Sequence, residues 1–204
     1  NQSIRWVLFP GSRPRQLWRN GVKKKTAADI AGVLPTVLFC PDDLNLIKDG
    51  AAERRRLMDM AICQLRPGYA KLLSDFNKLY ENKSRILRDY RDDPSMLSTL
   101  DDFSDGLARV SARIIRYRAS FARRLAECAA PIHREFSGRG EELSMEYKTV
   151  STVKDPFASV SQLTQDLLDH QASHHRAEIE SGQCLTGPHK DDFDVSLSGI
   201  NLKS

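Results

Sequence analysis

Residues 103–132 read FSDGLARVSARIIRYRASFARRLAECAAPI and carry the most regular hydrophobic pattern of the chain. Apolar side chains recur there every three or four residues, which is the period of one helix face. They are Phe103, Leu107, Val110, Ile114, Tyr117, Phe121, Leu125, Cys128 and Ile132. This spacing predicts a coiled-coil-like seam on one helix from Ser95 to Phe136, roughly 60 Å long at about 1.5 Å per residue. A helix of that length predicts an elongated helical arm.

Other patterns place further helices beside the long one and strands towards both ends of the chain. Helical periodicity covers 27–31, 52–65, 69–90 and 157–180, and strand-like runs cover 4–9, 16–19, 143–149 and 193–197, with a piece near Leu185. Asn20-Gly21 predicts a tight hairpin turn, and the apolar run 36–40 (TVLFC) predicts a buried strand. We therefore predict an α+β fold: a partial, mainly antiparallel sheet lobe from which an arm of antiparallel helices protrudes and returns.

Length and composition exclude several classes of protein. The chain has 204 residues, of which 40% are hydrophobic, so it can bury a core. No apolar run reaches the roughly 18 residues that a membrane span needs. The four cysteines are scattered, which argues against a zinc ribbon or a disulfide scaffold and predicts a reducing, cytoplasmic location. Because the chain opens with Asn1, we expect it to be a piece of a longer protein.

Charge is distributed unevenly along the chain. Residues 1–40 hold seven Lys/Arg against one acid, a balance of +6, whereas residues 137–204 hold six against eleven, a balance of −5. A basic first part is compatible with an anionic partner, nucleic acid above all. On charge alone, an ordinary solvated basic surface is the favoured interpretation.

No complete catalytic or metal-binding set is present in the sequence. It contains no phosphate loop of the form GxxxxGKS or GxxxxGKT, no GxSxG, no HExxH and no zinc-type Cys/His spacing. His170 and His174 share a helix face, with His175 beside them, but no third ligand is evident. We predict a polar helix surface there, and neither a catalytic nor a metal site.

An arginine-rich stretch in the long helix is the candidate for binding anions. Residues 106–124 contain no acid; Arg109, Arg113 and Arg116 share one helix face, and Arg123 extends it. This stripe predicts phosphate contacts with DNA. The alternative is the solvated side of a coiled coil whose charges pair with a neighbouring helix, and the two interpretations are equally favoured. Arg116 is predicted to face solvent.

Charged residues are dense in two further segments. Glu53-Arg54-Arg55-Arg56 opens a helix just after Gly50. Because consecutive helical residues point in different directions, the three arginines cannot serve one site, and one or two are expected to pair with Asp42, Asp43 or Asp59. The segment 187–192 reads as a turn that enters a strand.

These segments carry a resemblance to the RecF family. The first motif comprises Pro41, Asp42, Asp43, Gly50, Glu53, Arg54, Arg55 and Asp59, and the second comprises Gly187, Pro188, His189, Lys190, Asp191 and Asp192. The resemblance covers the whole chain. It departs from the family pattern at Ala52, where the family usually has proline, and at Leu57, where it usually has an aromatic residue.

The resemblance implies part of an SMC-like ATPase head of the ABC type. In that family two heads sandwich ATP between a Walker A loop, a signature loop and a Walker B strand. The Walker A loop lies upstream of the matched part and the other two lie downstream. The resemblance implies three parts. Residues 1–50 would be a first-lobe β segment of the head, residues 51–182 a helical arm, and residues 183–204 strands that return to the head before the signature. ATP and Mg²⁺ are implied for the full-length protein only, so this chain is predicted to be inactive alone.

The implied function is that of an ATP-dependent DNA-binding recombination mediator. Such a protein acts in repair, replication and the SOS response at gaps and single-strand/double-strand junctions, as an ATP-dependent homodimer with RecR and RecO partners. By comparison with related heads, Asp42 or Asp43 would take a polar role near the γ-phosphate and Mg²⁺, or else cap a helix. The second motif would face the dimer partner or DNA. The alternative function is a structural coiled-coil or adaptor module without nucleotide chemistry.

Overall fold

The first strands form a small antiparallel sheet. The computed structural model describes residues 2–138, 140–149 and 153–203, except for the side chains of Asp42 and Leu44. Strands β1 (Ile4–Val7), β2 (Gln16–Arg19) and β3 (Val22–Lys24) pair in the order β1-β2-β3. Asn20 and Gly21 have φ values of 50° and 77°, so the predicted tight turn between β2 and β3 is confirmed. Two short 3₁₀ helices follow, Ala27–Ile30 and Pro41–Asn45.

Two predicted strands are wrong. Residues 36–40 pair with no strand of the described chain, and Val37 and Leu38 are 99% and 87% exposed. A central strand is buried by its neighbours, and the described residues provide none for this run. Residues 182–191 form turns instead of the strand piece expected near Leu185, because the strand there begins only at Asp192.

Over the described residues, four α-helices and a second sheet complete the α+β fold. The helices are α1 (Ala51–Leu65), α2 (Tyr69–Asp89), α3 (Leu100–Ser137) and α4 (Val160–Ser181), and a 3₁₀ helix at Pro94–Thr99 leads into α3. The sheet comprises β4 (Leu143–Lys148), β5 (Asp192–Leu197) and β6 (Ile200–Asn201), all antiparallel. Gly138 ends α3 with a φ of 57°, whereas the neighbouring Arg139 lies outside the described residues.

Helix α3 lies at the centre of the packing, in contact with α1, α2, α4 and β4. It runs antiparallel to α2, because Tyr69 at the start of α2 meets Tyr117 while Leu79 lies beside Gly106. A buried ion pair of 2.7 Å between Lys83 Nζ and a Glu178 carboxylate oxygen joins α2 to α4. Among the described residues, no helix is long and apolar enough to cross a membrane.

The buried side of α3 is broader than the predicted seam. Leu107 and Ile114 are fully buried as predicted, but Ile132 is 55% exposed. Further buried residues lie beside the seam because helices and a strand pack on α3 from several sides; they include Ala108, Ala112, Ile115, Arg118, Ala119 and Ala122. Arg116, predicted to face solvent, is half-buried. The C-terminal turns of α3 extend past the core.

Ile114→Ala should therefore destabilise the protein. The side chain is 0% exposed, so its truncation leaves a cavity in the centre of the helical packing and should cost about 2–5 kcal/mol of unfolding free energy. The preceding residue, Arg113, is exposed, and Arg113→Ala should cost less than about 0.5 kcal/mol. Urea denaturation of both variants measures the two effects. An equal or larger loss for Arg113→Ala would show that the buried face is wrongly placed.

Candidate functional site

The structure brings the two motif segments together although about 130 residues separate them in the chain. Helix α1 begins directly after Gly50 and packs against β5, whose first residue is Asp192. The turn from Gly187 to Asp191 leads into that strand beside α1. We call the contacts of the segments 50–59 and 187–192 with each other, and with Arg118 of α3, the motif interface. Three arginines form most of its polar contacts.

Arg54 joins α1 to β5 through a bidentate ion pair. Its Nε and Nη2 atoms donate to Asp192 Oδ1 and Oδ2 at 2.8 and 2.9 Å. Its Nη1 atom donates to the carbonyls of Ile47, at 2.8 Å, and of Asp49. Arg54 is 4% exposed, so one buried guanidinium connects the loop before α1, the helix itself and the returning strand.

Asp192 is held in the charged form by this arrangement. Partial burial opposes ionisation, but hydrogen bonds from Arg54 and Lys203 outweigh it and lower the pKa of Asp192 to about 2. Lys203 Nζ lies 2.6 Å from Asp192 Oδ2 and 2.6 Å from Asp194 Oδ1. The carboxylate therefore belongs to a paired network within the described chain.

Arg118 connects the long helix α3 to both motif segments. Its Nε and Nη2 atoms donate to Asp59 Oδ1 and Oδ2 at 2.9 and 2.8 Å, and its Nη1 atom donates to the Pro188 carbonyl at 2.6 Å. Tyr69 Oη donates to the same Asp59 Oδ1 at 2.7 Å. Burial opposes the charge of Arg118, but the hydrogen bonds with Asp59 raise the pKa of its guanidinium above the usual value.

The third arginine of the interface, Arg55, contacts the backbone of the second motif. Its Nη1 atom donates to the Asp191 carbonyl at 2.7 Å. The Asp191 side chain is buried and accepts a hydrogen bond from Tyr147 Oη of β4. Burial raises the pKa of that Tyr147 hydroxyl well above its ordinary value, which keeps it protonated as a donor. The second motif is therefore held by groups from α1, α3 and β4.

The His189 ring packs against aromatic side chains of α2. Its ring centroid is 4.6 Å from that of Tyr80 and 6.3 Å from that of Phe76, and its Nε2 atom is 3.3 Å from the Cys184 carbonyl. Burial lowers its pKa to about 4, so the ring is neutral at pH 7. Gly187, with φ of 136°, leaves room for this ring, because a Cβ there would lie 3.1 Å from His189 Nδ1.

Glu53 and Lys190, two further motif residues, lie at the surface. Arg56 pairs with Glu53 at 3.3 Å, where both are exposed. Lys190 is exposed and follows the buried Pro188. The expected pairs of the α1 arginines with Asp43 or Asp59 do not form in the described chain, because Asp59 is taken by Arg118 and Asp192 is the partner of Arg54.

The segment Pro41–Asn45 has capping geometry. Asp43 Oδ2 accepts a hydrogen bond from the Cys40 backbone N–H at 2.7 Å, which lowers the pKa of Asp43. This is the capping alternative considered for Asp42 or Asp43. The Asp42 side chain lies outside the described residues. Among the described residues, no hydrogen bond or ion pair connects Asp43 to the motif interface.

The arginine stripe of α3 is divided between three surroundings. Arg109 approaches Asp105 at 3.8 Å, and the Arg123 guanidinium lies 4.4 Å from the ring centroid of Phe157. Arg113 and Arg116 line a separate cleft of about 500 Å³. The stripe is therefore not one continuous row of free cations.

The histidine cluster on α4 has no metal-site geometry. The rings of His170 and His174 stack with centroids 3.9 Å apart, and burial lowers the pKa of His170. Within the part of the chain that the structure describes, no group of three His, Cys, Asp or Glu side chains converges as metal ligands would.

Sequence reasoning missed the role of Arg118. Arg118 lies in the acid-free stretch 106–124, and its position beside the hydrophobic seam distinguishes it from the other arginines there. The available signal was that Ser111, Ile115, Arg118 and Ala122 share one helix face with spacings of four, three and four. A cation on an otherwise apolar and small-residue face predicts a buried partner.

Known proteins are similar to this chain in sequence and in fold. No family model matches the chain. Proteins named DNA replication and repair protein RecF are similar to it: that of Desulforamulus reducens is 32% identical over 98% of this chain and 53% of its own length, and that of Bacillus subtilis is 32% identical over 91% and 50%. The chain thus spans about half the length of the curated relatives it matches.

Solved structures show the same similarity. The recombination mediator protein RecF-ATPrS in the RecFOR pathway matches with a TM-score of 0.89 at 24% identity, over 99% of this chain and 53% of that one. The RecF-ATP structure matches with a TM-score of 0.84 at 25% identity, over 93% and 50%. The fold is therefore that of the matched half of these RecF structures. The resemblance of the chain to the RecF family is confirmed.

The Arg118–Asp59 pair should contribute strongly to stability. Their side chains are 6% and 19% exposed, so Arg118→Ala leaves a partly buried carboxylate without its partner and should cost about 3–5 kcal/mol of unfolding free energy. In a double-mutant cycle with Asp59→Asn, the losses should be strongly non-additive. The exposed pair Arg124–Glu127 on the same helix is the control, with a coupling below about 1 kcal/mol. Equal coupling in both cycles would contradict the assignment.

Stability should also depend on His189 between about pH 6.5 and pH 4. In the unfolded chain the ring binds a proton near its ordinary pKa of 6.5, whereas the folded protein keeps it neutral down to about 4. Unfolding free energy should therefore fall as the pH is lowered through this window, by about 3 kcal/mol. Burial is the main cause; Lys190 and Arg55 lower the pKa further, whereas the Cys184 carbonyl and Glu178 oppose the shift.

His189→Phe should remove this part of the pH dependence, because phenylalanine keeps the ring contacts without titrating. Urea denaturation at several pH values measures the effect. His175→Phe, at a 46% exposed side chain on α4, is the control for the exchange of a histidine for phenylalanine. A slope in His189→Phe equal to that of the unmodified protein would show that another group is responsible.

Proposed function

We propose that this chain is the arm-bearing part of a RecF-like recombination mediator that acts in DNA repair and replication in the cytoplasm. The observation that carries the proposal is the motif interface: both RecF-like segments pack together, and Arg118 attaches them to the long helix. The relatives named for DNA replication and repair, and the RecFOR-pathway structures, support the same proposal.

The chain would divide into three parts. Residues 1–50 would form the first-lobe β segment of the head, residues 51–182 the arm, and residues 183–204 the strands that return to the head. The four α-helices all lie between Ala51 and Ser181, which supports this division. The motif interface would then be the place where the arm is held at a fixed orientation to the head.

In the whole protein, ATP and Mg²⁺ would bind outside most of this chain, with Asp42 and Asp43 nearest to the γ-phosphate. Asp43 fits such a role, because it is exposed and its Oδ1 atom accepts no hydrogen bond from the described residues. Mg²⁺ takes only one or two carboxylates when phosphates and waters complete its shell. When bound, these groups would supply the energy that closes two heads on each other. Asp43 would hold the end of this lobe that lies beside the metal.

The DNA-binding surface would combine the basic residues of 1–40 with Arg109, Arg113, Arg116 and Arg123 of α3. The whole protein would act at gaps and single-strand/double-strand junctions, as an ATP-dependent homodimer with RecR and RecO. The names of the matching structures, which place RecF in the RecFOR pathway, support these partners.

DNA binding by this chain should be weak, independent of sequence and steeply dependent on salt. Contacts of arginine with phosphate act through the release of counterions, so affinity for a gapped duplex should fall by at least about tenfold between 50 and 200 mM salt. Fluorescence anisotropy with labelled gapped and continuous duplexes of two unrelated sequences measures this. The quadruple variant of Arg109, Arg113, Arg116 and Arg123 to Gln should reduce the salt slope.

Two results would contradict this part of the proposal. One is binding that is unchanged between the two salt concentrations. The other is a quadruple variant with an undiminished slope, which would place the DNA contacts outside α3. Arg85→Gln, an exposed arginine on α2, serves as the control for a simple loss of positive charge.

A further inference from the structure

A cleft between the end of α1 and the middle of α3 combines positive charge with apolar walls. It has a volume of about 500 Å³, within the roughly 300–1,000 Å³ of ligand pockets. Its charged lining residues are Arg66, Arg113, Arg116 and Arg124, and no acidic residue lines it. Four guanidinium groups beside one cleft repel each other, so the cleft favours an anionic ligand.

These arginines are largely unneutralised within the described chain. Arg124 pairs with Glu127 at 3.0 Å, but both side chains are more than half exposed, so this pair is weak. Arg66, Arg113 and Arg116 form no ion pair with any described residue, and Arg116 Nη1 is a buried nitrogen atom without a hydrogen-bond partner there. Burying a charged donor without a partner is costly, and the described residues supply no acid that would neutralise Arg116.

The apolar lining determines the rest of the ligand. Ile62, Leu65, Tyr117 and Phe121 line the same cleft. Ile62 is buried and the rings of Tyr117 and Phe121 are half-buried, so the inner wall is apolar while the exposed arginines lie towards solvent. Such a cleft accommodates one bulky apolar side chain with negative charges on either side of it.

We infer that this cleft binds an acidic segment of a partner protein, with one large apolar side chain inserted and its neighbouring carboxylates paired to the arginines. Guanidinium and carboxylate groups form bidentate pairs, and an apolar anchor in a desolvated pocket is the usual centre of a protein interface. The charges are gathered around one apolar cleft, whereas Arg109 and Arg123 on the same helix contact Asp105 and Phe157. This gathering of charge favours a short acidic peptide within the cleft, which would compete with DNA for Arg113 and Arg116. The inference does not depend on the proposed function.

The test uses this chain and a synthetic peptide. The probe is a fluorescein-labelled peptide with two aspartates on each side of one phenylalanine, and binding is followed by anisotropy. The double variant Arg113→Gln with Arg116→Gln should weaken binding by at least about tenfold. The matched control, Arg109→Gln with Arg123→Gln, removes the same charge from the same helix and should change affinity by less than about twofold. A peptide with alanine in place of phenylalanine should bind several-fold more weakly.

Several results would overturn the inference. Absence of saturable binding at about 1 mM peptide would show that the cleft does not take this ligand. Equal weakening by the two double variants would show general attraction to a basic helix. Equal binding of the alanine peptide would show that no apolar side chain anchors the peptide in the cleft. A single-stranded oligothymidine that binds more tightly than the peptide, through the same two arginines, would assign the cleft to nucleic acid.

Discussion

The guanidinium group of Arg118 is the constraint on which the arrangement of this molecule depends. It is almost fully buried, so its charge is tolerated only because Asp59 and the Pro188 carbonyl supply acceptors in the right positions. Asp59 belongs to α1, Pro188 to the turn before β5 and Arg118 to α3. One side chain therefore fixes the relative positions of two motif segments and the long helix. Arg54 acts in the same way at the edge of the interface, because it joins α1 to the loop before it and to Asp192 of β5.

Most of the ionisable groups of the second motif are likewise used in contacts within the described chain. Asp191 and Asp192 accept hydrogen bonds from Tyr147, Arg54 and Lys203, and the His189 ring is neutral against aromatic neighbours. These groups are used in structural contacts. Helix α1 and the turn before β5 cannot move away from α3 without breaking the Arg118–Asp59 ion pair or the hydrogen bond from Arg118 to the Pro188 carbonyl.

The sequence predicted the helices well and the sheet less well, for physical reasons. Amphipathic periodicity is local, so Ile114 and Leu107 were correctly assigned to the core. The run 36–40 has the composition of a central strand, but pairing depends on neighbouring strands that the described residues lack. The motif interface could not be predicted, because charges do not identify their partners across about 130 residues. Arg54 therefore had plausible local partners, whereas its actual partner, Asp192, is set by tertiary packing.

Hydrogen–deuterium exchange of the Arg118→Met variant tests most directly whether this side chain holds the second motif to the arm. The Lys190 amide is bonded to the Gly187 carbonyl at 3.1 Å and the Leu185 amide to Glu178. Our account predicts that exchange in the segment 185–191 accelerates by at least about tenfold, which corresponds to about 1.4 kcal/mol of local stability. Exchange in the hairpin of β2 and β3 should stay unchanged. Unaltered exchange in 185–191, or a uniform increase over the whole chain, would contradict the account.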